Sequence, residues 1–447
     1  METHKIVVAK LKNILDANPQ MKSDLERSLQ QAVDISKNGD PSKGTEPLNP
    51  QLYSAIDKEL GGKGWPTSAE AYYEYLDNYV RLIPNEIRDP EYPNAWTSDG
   101  TKNGYNQKVY DLLCQSYWLI DQNLTDDPNN IKTMQSYPDF AEWLVDFANA
   151  WGSYLDTTES LTPETLASFE QDSMYNMAWY NGNKSTWTTF NQFFYREFNN
   201  ANPETGISPL RPISCPDDNT NVVSPADCTF KAFYPIVEGN VMAPDGERLK
   251  HTHSIGTVDE LLTGSNMDEE TKERVLAYAQ SFYNGTFVHY FLSPFDYHRF
   301  HTPIAGKVLE ITPIDGQVYL NVLSSGGQFH APDDSESDDT KVGYEFTQAR
   351  GLIILDGGDA VGKVVVLPIG MCQVSGVMMY DGSDPSLPNL TGKDVVKGQE
   401  FGKFRFGGSD IIMLFEKPPQ DLYMFQNDPS HNPIHFQYGQ TSVYLNK

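Results

Sequence analysis

The hydrophobic pattern of the chain changes near residue 185, and this change constrains the fold more than any other feature. Before it, apolar side chains recur at the three- and four-residue spacing of amphipathic helices, which predicts helices over 72–83, 105–120 and 140–154. Another helix is predicted to begin at Thr162 as N-cap, with Pro163 at its first position. A last helix is predicted over 186–198.

After that helix, short β-branched and aromatic runs alternate with Gly and Pro turns, a pattern typical of strands. One helix is predicted among them, over 268–283. The predicted strands are 222–223, 229–234, 286–292, 307–311, 317–322, 351–355, 363–367, 374–379 and 411–415.

The predicted fold class is therefore α+β. A helical N-terminal domain is expected over residues 1–185, and a mainly antiparallel, β-rich domain over 186–447. A length of 447 residues fits two domains of ordinary size, and a hydrophobic content of 39% excludes a mainly disordered chain.

Charge and the lack of long apolar runs narrow the class of partner. A net charge of −28 opposes binding to phosphate backbones and to anionic lipid, so no nucleic-acid partner is expected. No run approaches the roughly 18–20 apolar residues of a membrane span, and the first residues lack the pattern of a signal peptide. The 4 cysteines form no CxxC pair. We expect a cytoplasmic protein without stable membrane insertion.

Three motifs in the β-rich half carry side chains suited to catalysis. The first, SPADC at 224–228, places Asp227 in a tight turn between two strands. The second, FLSPFDYHRFH at 291–301, contains His298 and His301, and histidine is the side chain best suited to proton transfer near neutral pH. Taken singly, the first motif is better explained by a solvated turn aspartate, and two structural histidines explain the second motif as well as catalytic histidines do. A metal site is not expected, because the histidine spacing matches no common ligand motif.

The third motif, KGQEFGKFRFGGSD at 397–410, leads into an apolar strand. Two glycines before Ser409 leave the carbonyl of Gly408 sterically open, and a serine hydroxyl there can attack that carbonyl. In isolation, a β-turn or bulge at the start of a strand explains the same pattern.

In this order, the three motifs resemble those of the phosphatidylserine decarboxylase family, which has a SPADG-type turn, a DYHRxHxP segment and a KGxExGxFxxGS segment. The resemblance extends from about Phe190 to about Phe415. The helical part more loosely resembles the extra domain of soluble, tryptophan-type amino-acid decarboxylases of this family. Two departures stand out: Asp410 follows the serine where the family usually has Thr or Ser, and Cys228 replaces a glycine.

The resemblance implies a zymogen that makes its own cofactor. Ser409 would attack the carbonyl of Gly408, and the chain would be cut between residues 408 and 409. The new terminus of a 39-residue short chain would then become a pyruvoyl group. The resemblance also implies roles for three side chains: His301 as the base that activates Ser409, Asp227 as the carboxylate that orients His301, and His298 as general acid. Because the two histidines are three residues apart, a turn or bulge is needed to bring both near Ser409.

The implied reaction is the decarboxylation of an amine-bearing carboxylic acid, with the pyruvoyl carbonyl forming a Schiff base and accepting the released electrons. The net charge favours a free L-amino acid as substrate, aromatic if the chain follows the tryptophan-type relatives, giving its amine and CO₂. Phosphatidylserine, giving phosphatidylethanolamine, is the alternative. An unprocessed, non-catalytic binding module is an alternative of another class. The sequence leaves open whether the protein forms a homo-oligomer.

Overall fold

The computed structural model describes residues 3–40, 45–87, 89–96, 105–125, 132–180, 182, 184–244, 252–318, 322–330, 344–370, 376–407, 409–425, 427 and 433–446. The α-helices of these residues are α1 Thr3–Ala17, α2 Pro19–Asn38, α3 Pro50–Glu59, α4 Ala69–Tyr79, α5 Tyr105–Trp118, α6 Pro138–Leu155, α7 Pro163–Gln171, α8 Phe190–Phe194, α9 Val258–Leu262 and α10 Glu269–Ala279.

The strands of the described residues are β1 Asn221–Val223, β2 Cys228–Val237, β3 Asn240–Pro244, β4 Thr252–Thr257, β5 Thr286–Leu292, β6 Arg299–His301, β7 Gly306–Ile314, β8 Leu323–Ser325, β9 Gln328–His330, β10 Arg350–Asp356, β11 Lys363–Gly370, β12 Val377–Met379, β13 Asp394–Val395, β14 Glu400–Phe404, β15 Ser409–Phe415, β16 Leu422–Met424, β17 His435–Phe436 and β18 Thr441–Leu445. Helices and antiparallel strands together confirm the predicted α+β class.

The chain divides into two compact units. The helical unit comprises Met1–Met177, Thr188–Gln192 and Gln317–Asp333, and the sheet unit comprises Ala178–Trp187, Phe193–Gly316 and Asp334–Lys447. This partition differs from the predicted boundary at 185/186 in two ways: the first break falls eight residues earlier, and a segment from the β-rich half joins the helices.

The segment that joins the helical unit is the β8–β9 hairpin, and contacts within that unit explain its position. The backbone N–H of Val322 donates to the Asp121 carboxylate at 2.9 Å, and burial raises the pKa of Asp121 to about 8. Phe329 stacks on Trp65 with ring centroids 6.3 Å apart. Contacts between residues about 200 positions apart in sequence leave no local signal, so periodicity cannot predict them.

Aromatic side chains at helical spacing form the core of the helical unit, as predicted. In α6, Trp143 and Trp151 are buried, and their indole N–H groups donate to the carbonyls of Val7 and Leu82. The predicted N-cap of α7 is confirmed, because the Thr162 hydroxyl accepts the Thr165 N–H at 3.1 Å.

The predicted helix over 186–198 is wrong in its length, since only Phe190–Phe194 is helical. The chain leaves the helix at Phe194, and Arg196, two residues later, donates to backbone carbonyls of a distant turn instead of continuing the helix. The predicted strand at 317–322 lies largely outside the described residues, as do residues 374 and 375 of the predicted strand 374–379.

The sheet unit is built on one large antiparallel sheet with the strand order β13-β7-β10-β11-β15-β5-β2-β3-β4, in which β17 also pairs with β2. Two smaller sheets, β12-β14-β6 and β1-β18-β16, complete it. Helices α9 and α10 cover one face of the large sheet, where Leu261 and Val275 pack with Ile412 and Leu414 of β15. Strand β15 lies between β11 and β5 and is buried throughout, which confirms the predicted internal strand at 411–415.

Candidate active site

Ser409 is the first residue of β15, where it pairs with Gly370 of β11 and with Leu292 of β5. Its side chain is fully buried, and its Oγ lies 3.5 Å from the carbonyl oxygen of Gly407. Gly407 has a φ of +150°, a region that glycine adopts without steric cost. Gly408, the other residue of the predicted cleavage site, lies outside the described residues. Ser409 is therefore buried at the first position of a strand that has a hydrogen-bonded neighbour on each side.

Strand pairing joins the second motif to the third. Strand β6 pairs with β14, with Glu400 opposite His301, and the register shifts between Glu400 and Gly402. The carbonyl of His298 accepts the N–H of Phe404 at 2.9 Å. His298 lies in an irregular segment before β6 while His301 ends that strand, so the chain bends near the histidines as expected.

Backbone hydrogen bonds join the first motif to the second. The N–H of His301 donates to the carbonyl of Pro225 at 2.7 Å, and the N–H of Val223 donates to the carbonyl of Pro303 at 3.1 Å. The turn that carries Asp227 therefore lies against the strand that carries His301. The three motifs converge within the sheet unit, although 182 positions separate Asp227 from Ser409 in sequence.

The turn before β6 is held by two charged side chains. The Asp296 carboxylate accepts the Ser293 N–H at 2.8 Å and lies 2.8 Å from Nε2 of His435. From the other side, Arg196 donates to the carbonyls of Phe295 and Asp296 at 2.7 and 3.2 Å. These contacts fix the backbone that presents His298.

His301 has the geometry of a general base. Its Nδ1 lies 2.8 Å from the carbonyl oxygen of Gly398, and its Nε2 has no hydrogen-bond partner among the described residues. The ring stacks on Tyr438 with centroids 3.8 Å apart and planes 3° apart. Burial lowers the pKa of His301 to about 4, against the opposing effect of the Glu400 charge. The imidazole is therefore neutral at pH 7, the form that can accept a proton.

Asp227 does not make the contact predicted for it. Its carboxylate accepts hydrogen bonds from Arg211 at 2.7 and 3.3 Å and from the Tyr438 N–H at 2.9 Å. The described residues show no hydrogen bond between Asp227 and His301, whose Nδ1 is bound to the carbonyl of Gly398. Asp227 acts on His301 through its charge, which favours the protonated ring and raises its pKa. Among the described residues, the backbone carbonyl of Gly398 is the group that holds Nδ1 of His301, and the orienting role of Asp227 stays a prediction.

His298 is enclosed by aromatic rings. Phe194 stacks on it with centroids 3.8 Å apart, and Phe194 also contacts Phe406, three residues before Ser409. Burial lowers the pKa of His298 well below its ordinary value, and the positive charge of Arg196 acts in the same direction, while the backbone of Asp296 opposes it. The ring is neutral at pH 7, so it must take up a proton during turnover to serve as the predicted general acid.

A buried ion-pair network links the second and third motifs beside His301. Arg299 donates to Glu400 at 2.7 Å and pairs with Glu197 at 2.9 Å, and the Tyr380 hydroxyl also donates to Glu400. Burial opposes ionisation of Glu400, but Arg299 and the other polar groups around it, including the Tyr380 hydroxyl, together lower the pKa of that carboxyl. This network locks β6 to β14 and thereby holds Gly398 and His301 in register.

Sequence reasoning missed the functional contacts of Arg211, Gly398 and Glu400. Arg299 lies in the second motif and Glu400 in the third. Because the two motifs were expected to lie together, their opposite charges could have predicted this ion pair. The role of Gly398 had no such signal, because a backbone carbonyl is common to every residue type.

Within the described ranges, no group of three or more His, Cys, Asp or Glu side chains is placed to hold a metal ion. Among the helices whose residues are described, none combines the length and the apolar character needed to cross a membrane.

Comparison with known proteins gives consistent matches over the sheet unit. A family model described as phosphatidylserine decarboxylase matches residues 190–443. Phosphatidylserine decarboxylase proenzyme 3 of Schizosaccharomyces pombe is 32% identical over 230 residues, which are 51% of this chain but only 19% of that protein. The phosphatidylserine decarboxylase proenzyme of Clostridium novyi is 28% identical over 319 residues, 70% of this chain and 87% of the relative. Decarboxylase iboD of Amanita muscaria is 25% identical over 316 residues, 65% of this chain and 80% of the relative.

Proposed function

Because this chain belongs to the phosphatidylserine decarboxylase family of pyruvoyl-dependent carboxy-lyases, we propose that it cleaves itself before Ser409 and decarboxylates a free amino acid. The family membership expected from the three motifs is thereby confirmed, and with it the expected enzyme class and cofactor. The observation that carries the cleavage proposal is the neutral His301, whose Nε2 is unoccupied in the described structure while Gly398 holds Nδ1.

In the proposed cleavage, Nε2 of His301 takes the Ser409 hydroxyl proton as Oγ attacks the carbonyl carbon of Gly408. The C–N bond then breaks, leaving an ester and a free amino group on residue 409. Removal of the Cα proton of residue 409 expels the carboxylate of residue 408, and the resulting dehydroalanine reacts with water and loses ammonia. Every atom is supplied by the chain and one water molecule.

The residues present fit a pyruvoyl group, because its precursor serine is buried at the start of an internal strand and pairs with Leu292 of the motif that carries both histidines. When formed, the group supplies the carbonyl that binds the substrate amine and accepts the electrons of the breaking carbon–carbon bond. His298 is assigned to hold the proton that the product carbon receives. Its stacking on Phe194 fixes the plane of the imidazole, and burial excludes bulk water from that step.

Three observations support a free amino acid as substrate. The net charge of −28 opposes approach to an anionic bilayer by on the order of 1 kcal/mol for each charge near the surface. Aromatic rings surround both histidines, including Tyr297 and Tyr438 at His301, and such surroundings suit an aromatic side chain. The Amanita muscaria relative is a decarboxylase whose name specifies no phospholipid. A soluble substrate also accords with the proposed cytoplasmic location.

Phosphatidylserine is the second candidate substrate. It is favoured by the names of most matching relatives, among them the Clostridium novyi protein, whose length is covered almost completely. Both candidates carry an α-amino acid group, so the chemistry at residue 409 is the same and only recognition of the remainder differs.

Self-cleavage and substrate are tested separately. Ser409→Ala should remain a single chain and should not react with hydroxylamine, whereas the wild type should yield a short chain that does. Wild-type protein is then incubated with a pool of the twenty common L-amino acids, and with vesicles containing phosphatidylserine, and CO₂ is measured. Release from the pool supports the proposal. Release from the vesicles alone overturns the substrate assignment and leaves the cleavage assignment intact.

A further inference from the structure

A buried histidine lies between two buried carboxyl groups next to the proposed cleavage site. Nε2 of His289, on β5, lies 3.3 Å from Oδ2 of Asp410, and its Nδ1 lies 3.7 Å from Oε1 of Glu345. The relative exposures of the three side chains are 2%, 0% and 0% for His289, Asp410 and Glu345. A buried carboxylate is costly without a partner of opposite charge, and His289 gives Asp410 such a partner when its ring is protonated.

The Asp410 side chain lies on the opposite face of the sheet from the Ser409 side chain. Side chains alternate along a strand, and the register of β15 with both neighbours is regular from Ser409 to Phe415. Asp410 therefore shares a face with Ile412 and Leu414, which pack in the core beneath α9 and α10. His289 belongs to the same face, since its neighbour but one on β5, Phe287, packs in that core.

Glu345 reaches this face from a different segment. It lies in a single 3-10 turn, Tyr344–Phe346, and Phe346 stacks on Phe287 with centroids 6.4 Å apart. The turn therefore contacts β5 at His289, and His289 in turn contacts the second residue of β15.

Cleavage before Ser409 would turn the contact between Asp410 and His289 into a contact between two chains. Asp410 becomes the second residue of the short chain, while His289 and Glu345 stay in the long chain. A new chain terminus frays unless side chains hold it, and the cofactor forms at that terminus. We propose that the Asp410–His289 pair, supported by Glu345, is an interchain anchor that positions the pyruvoyl-bearing end of the short chain. This inference rests on the proposed self-cleavage.

The anchor explains the departure of Asp410 from the usual family residue. A carboxylate directly after the cleaved bond would repel the developing oxyanion if it lay on the same face as the serine. Held by His289 on the far face, it leaves the reacting side free. Asp410 and His289 are thus positioning residues and do not touch the reacting atoms.

The test compares Asp410→Asn and His289→Gln with the matched control Glu310→Gln. Glu310 is a buried carboxylate of the same sheet, on β7, and it pairs with Arg274 at 2.7 Å. After cleavage is verified by intact mass, the rate of reaction of the terminal carbonyl with hydroxylamine is measured. Release of the short chain in urea is followed by size-exclusion chromatography.

Both single variants should cleave completely, react with hydroxylamine at least about tenfold faster than wild type, and release the short chain at lower urea. Glu310→Gln should match the wild type. The double variant, Asp410→Asn with His289→Gln, leaves no charge of the pair unpartnered and its amides can bond each other. It should therefore recover to within about threefold of wild type.

Complete cleavage with wild-type reactivity and retention in both single variants would overturn the anchor. So would loss of cleavage in Asp410→Asn, because the pair would then act before the cut. If that variant does not fold, Asp410→Thr removes the charge with a residue usual in the family and carries the same expectation. An uncleaved wild type with no reactive carbonyl would instead refute the proposed function, a result distinct from either of these.

Discussion

Nδ1 of His301 lies 2.8 Å from the backbone carbonyl oxygen of Gly398. A carbonyl oxygen only accepts hydrogen bonds, so Nδ1 must carry the proton and Nε2 keeps its lone pair. The contact therefore selects the tautomer that a base needs. It also ties the proposed base to the motif that contains Ser409, because Gly398 and Ser409 both lie in the motif at 397–410.

The two histidines should separate into a cleavage residue and a turnover residue. His301→Gln should slow self-cleavage by about 100-fold or more, because it removes the only proposed base for Ser409. His298→Gln should cleave at a rate close to wild type but release no CO₂ from any substrate that the wild type uses. Gel electrophoresis of freshly expressed protein and a CO₂ assay measure the two effects. The reverse pattern would exchange the two roles.

Asp227→Asn should affect stability more than chemistry. The substitution leaves the Arg211 guanidinium buried without its carboxylate, which costs about 3–5 kcal/mol of the free energy of unfolding. Cleavage should slow by no more than about tenfold, because Asp227 reaches His301 only through its charge. Urea unfolding, in the uncleaved Ser409→Ala background, and a cleavage time course give the two values. Complete loss of cleavage in folded protein would instead assign Asp227 a direct role.

The cleavage rate should have an unusually acidic pH profile. Because burial lowers the pKa of His301 to about 4, the base stays neutral and competent well below its ordinary pKa of 6.5. Cleavage should therefore proceed at its full rate at pH 5.5 and fall only as the pH approaches about 4. A time course of chain cutting in protein refolded at each pH checks this. An acid limb centred near 6.5 would show that the base is solvated.

The same shift predicts how stability depends on pH. The unfolded chain binds a proton on residue 301 near pH 6.5, whereas the folded chain binds it only near pH 4. The neutral, buried His301 therefore makes its full contribution to the free energy of unfolding above about pH 6.5. This contribution, about 3 kcal/mol, is lost as the pH falls toward 4. His298 shifts in the same direction. Urea unfolding of Ser409→Ala from pH 4 to 8 should show this slope, and adding His301→Gln should reduce it.

Local pattern predicted about half of the described strands of the sheet unit, since strands such as β5 and β15 are continuous apolar runs between turn residues. It missed short strands such as β6, β13 and β17. The same reasoning placed α5, α6 and α7, because their buried aromatics repeat at helical spacing. It failed for 186–198, where Arg196 binds the turn before His298 and so forces the chain out of the helix. Propensity is local, and that contact spans about 100 positions.

The sequence was enough to name the candidate residues of the site, but it did not predict the contacts that these residues make. Asp227, His298, His301 and Ser409 stand out by residue type within three motifs. Their hydrogen-bond partners depend on tertiary geometry. The guanidinium of Arg211 binds the carboxylate of Asp227, and the carbonyl of Gly398 binds Nδ1 of His301. Tertiary geometry also brings His289 and Glu345 to the face of the sheet that carries Asp410, which no spacing in the sequence reveals.

The most direct test of the account is the intact mass of purified wild-type protein that has been shown to release CO₂. The account predicts two chains, the second beginning at residue 409 and lighter by one ammonia than a chain with a free serine at that terminus. A single uncut polypeptide in active material would contradict it.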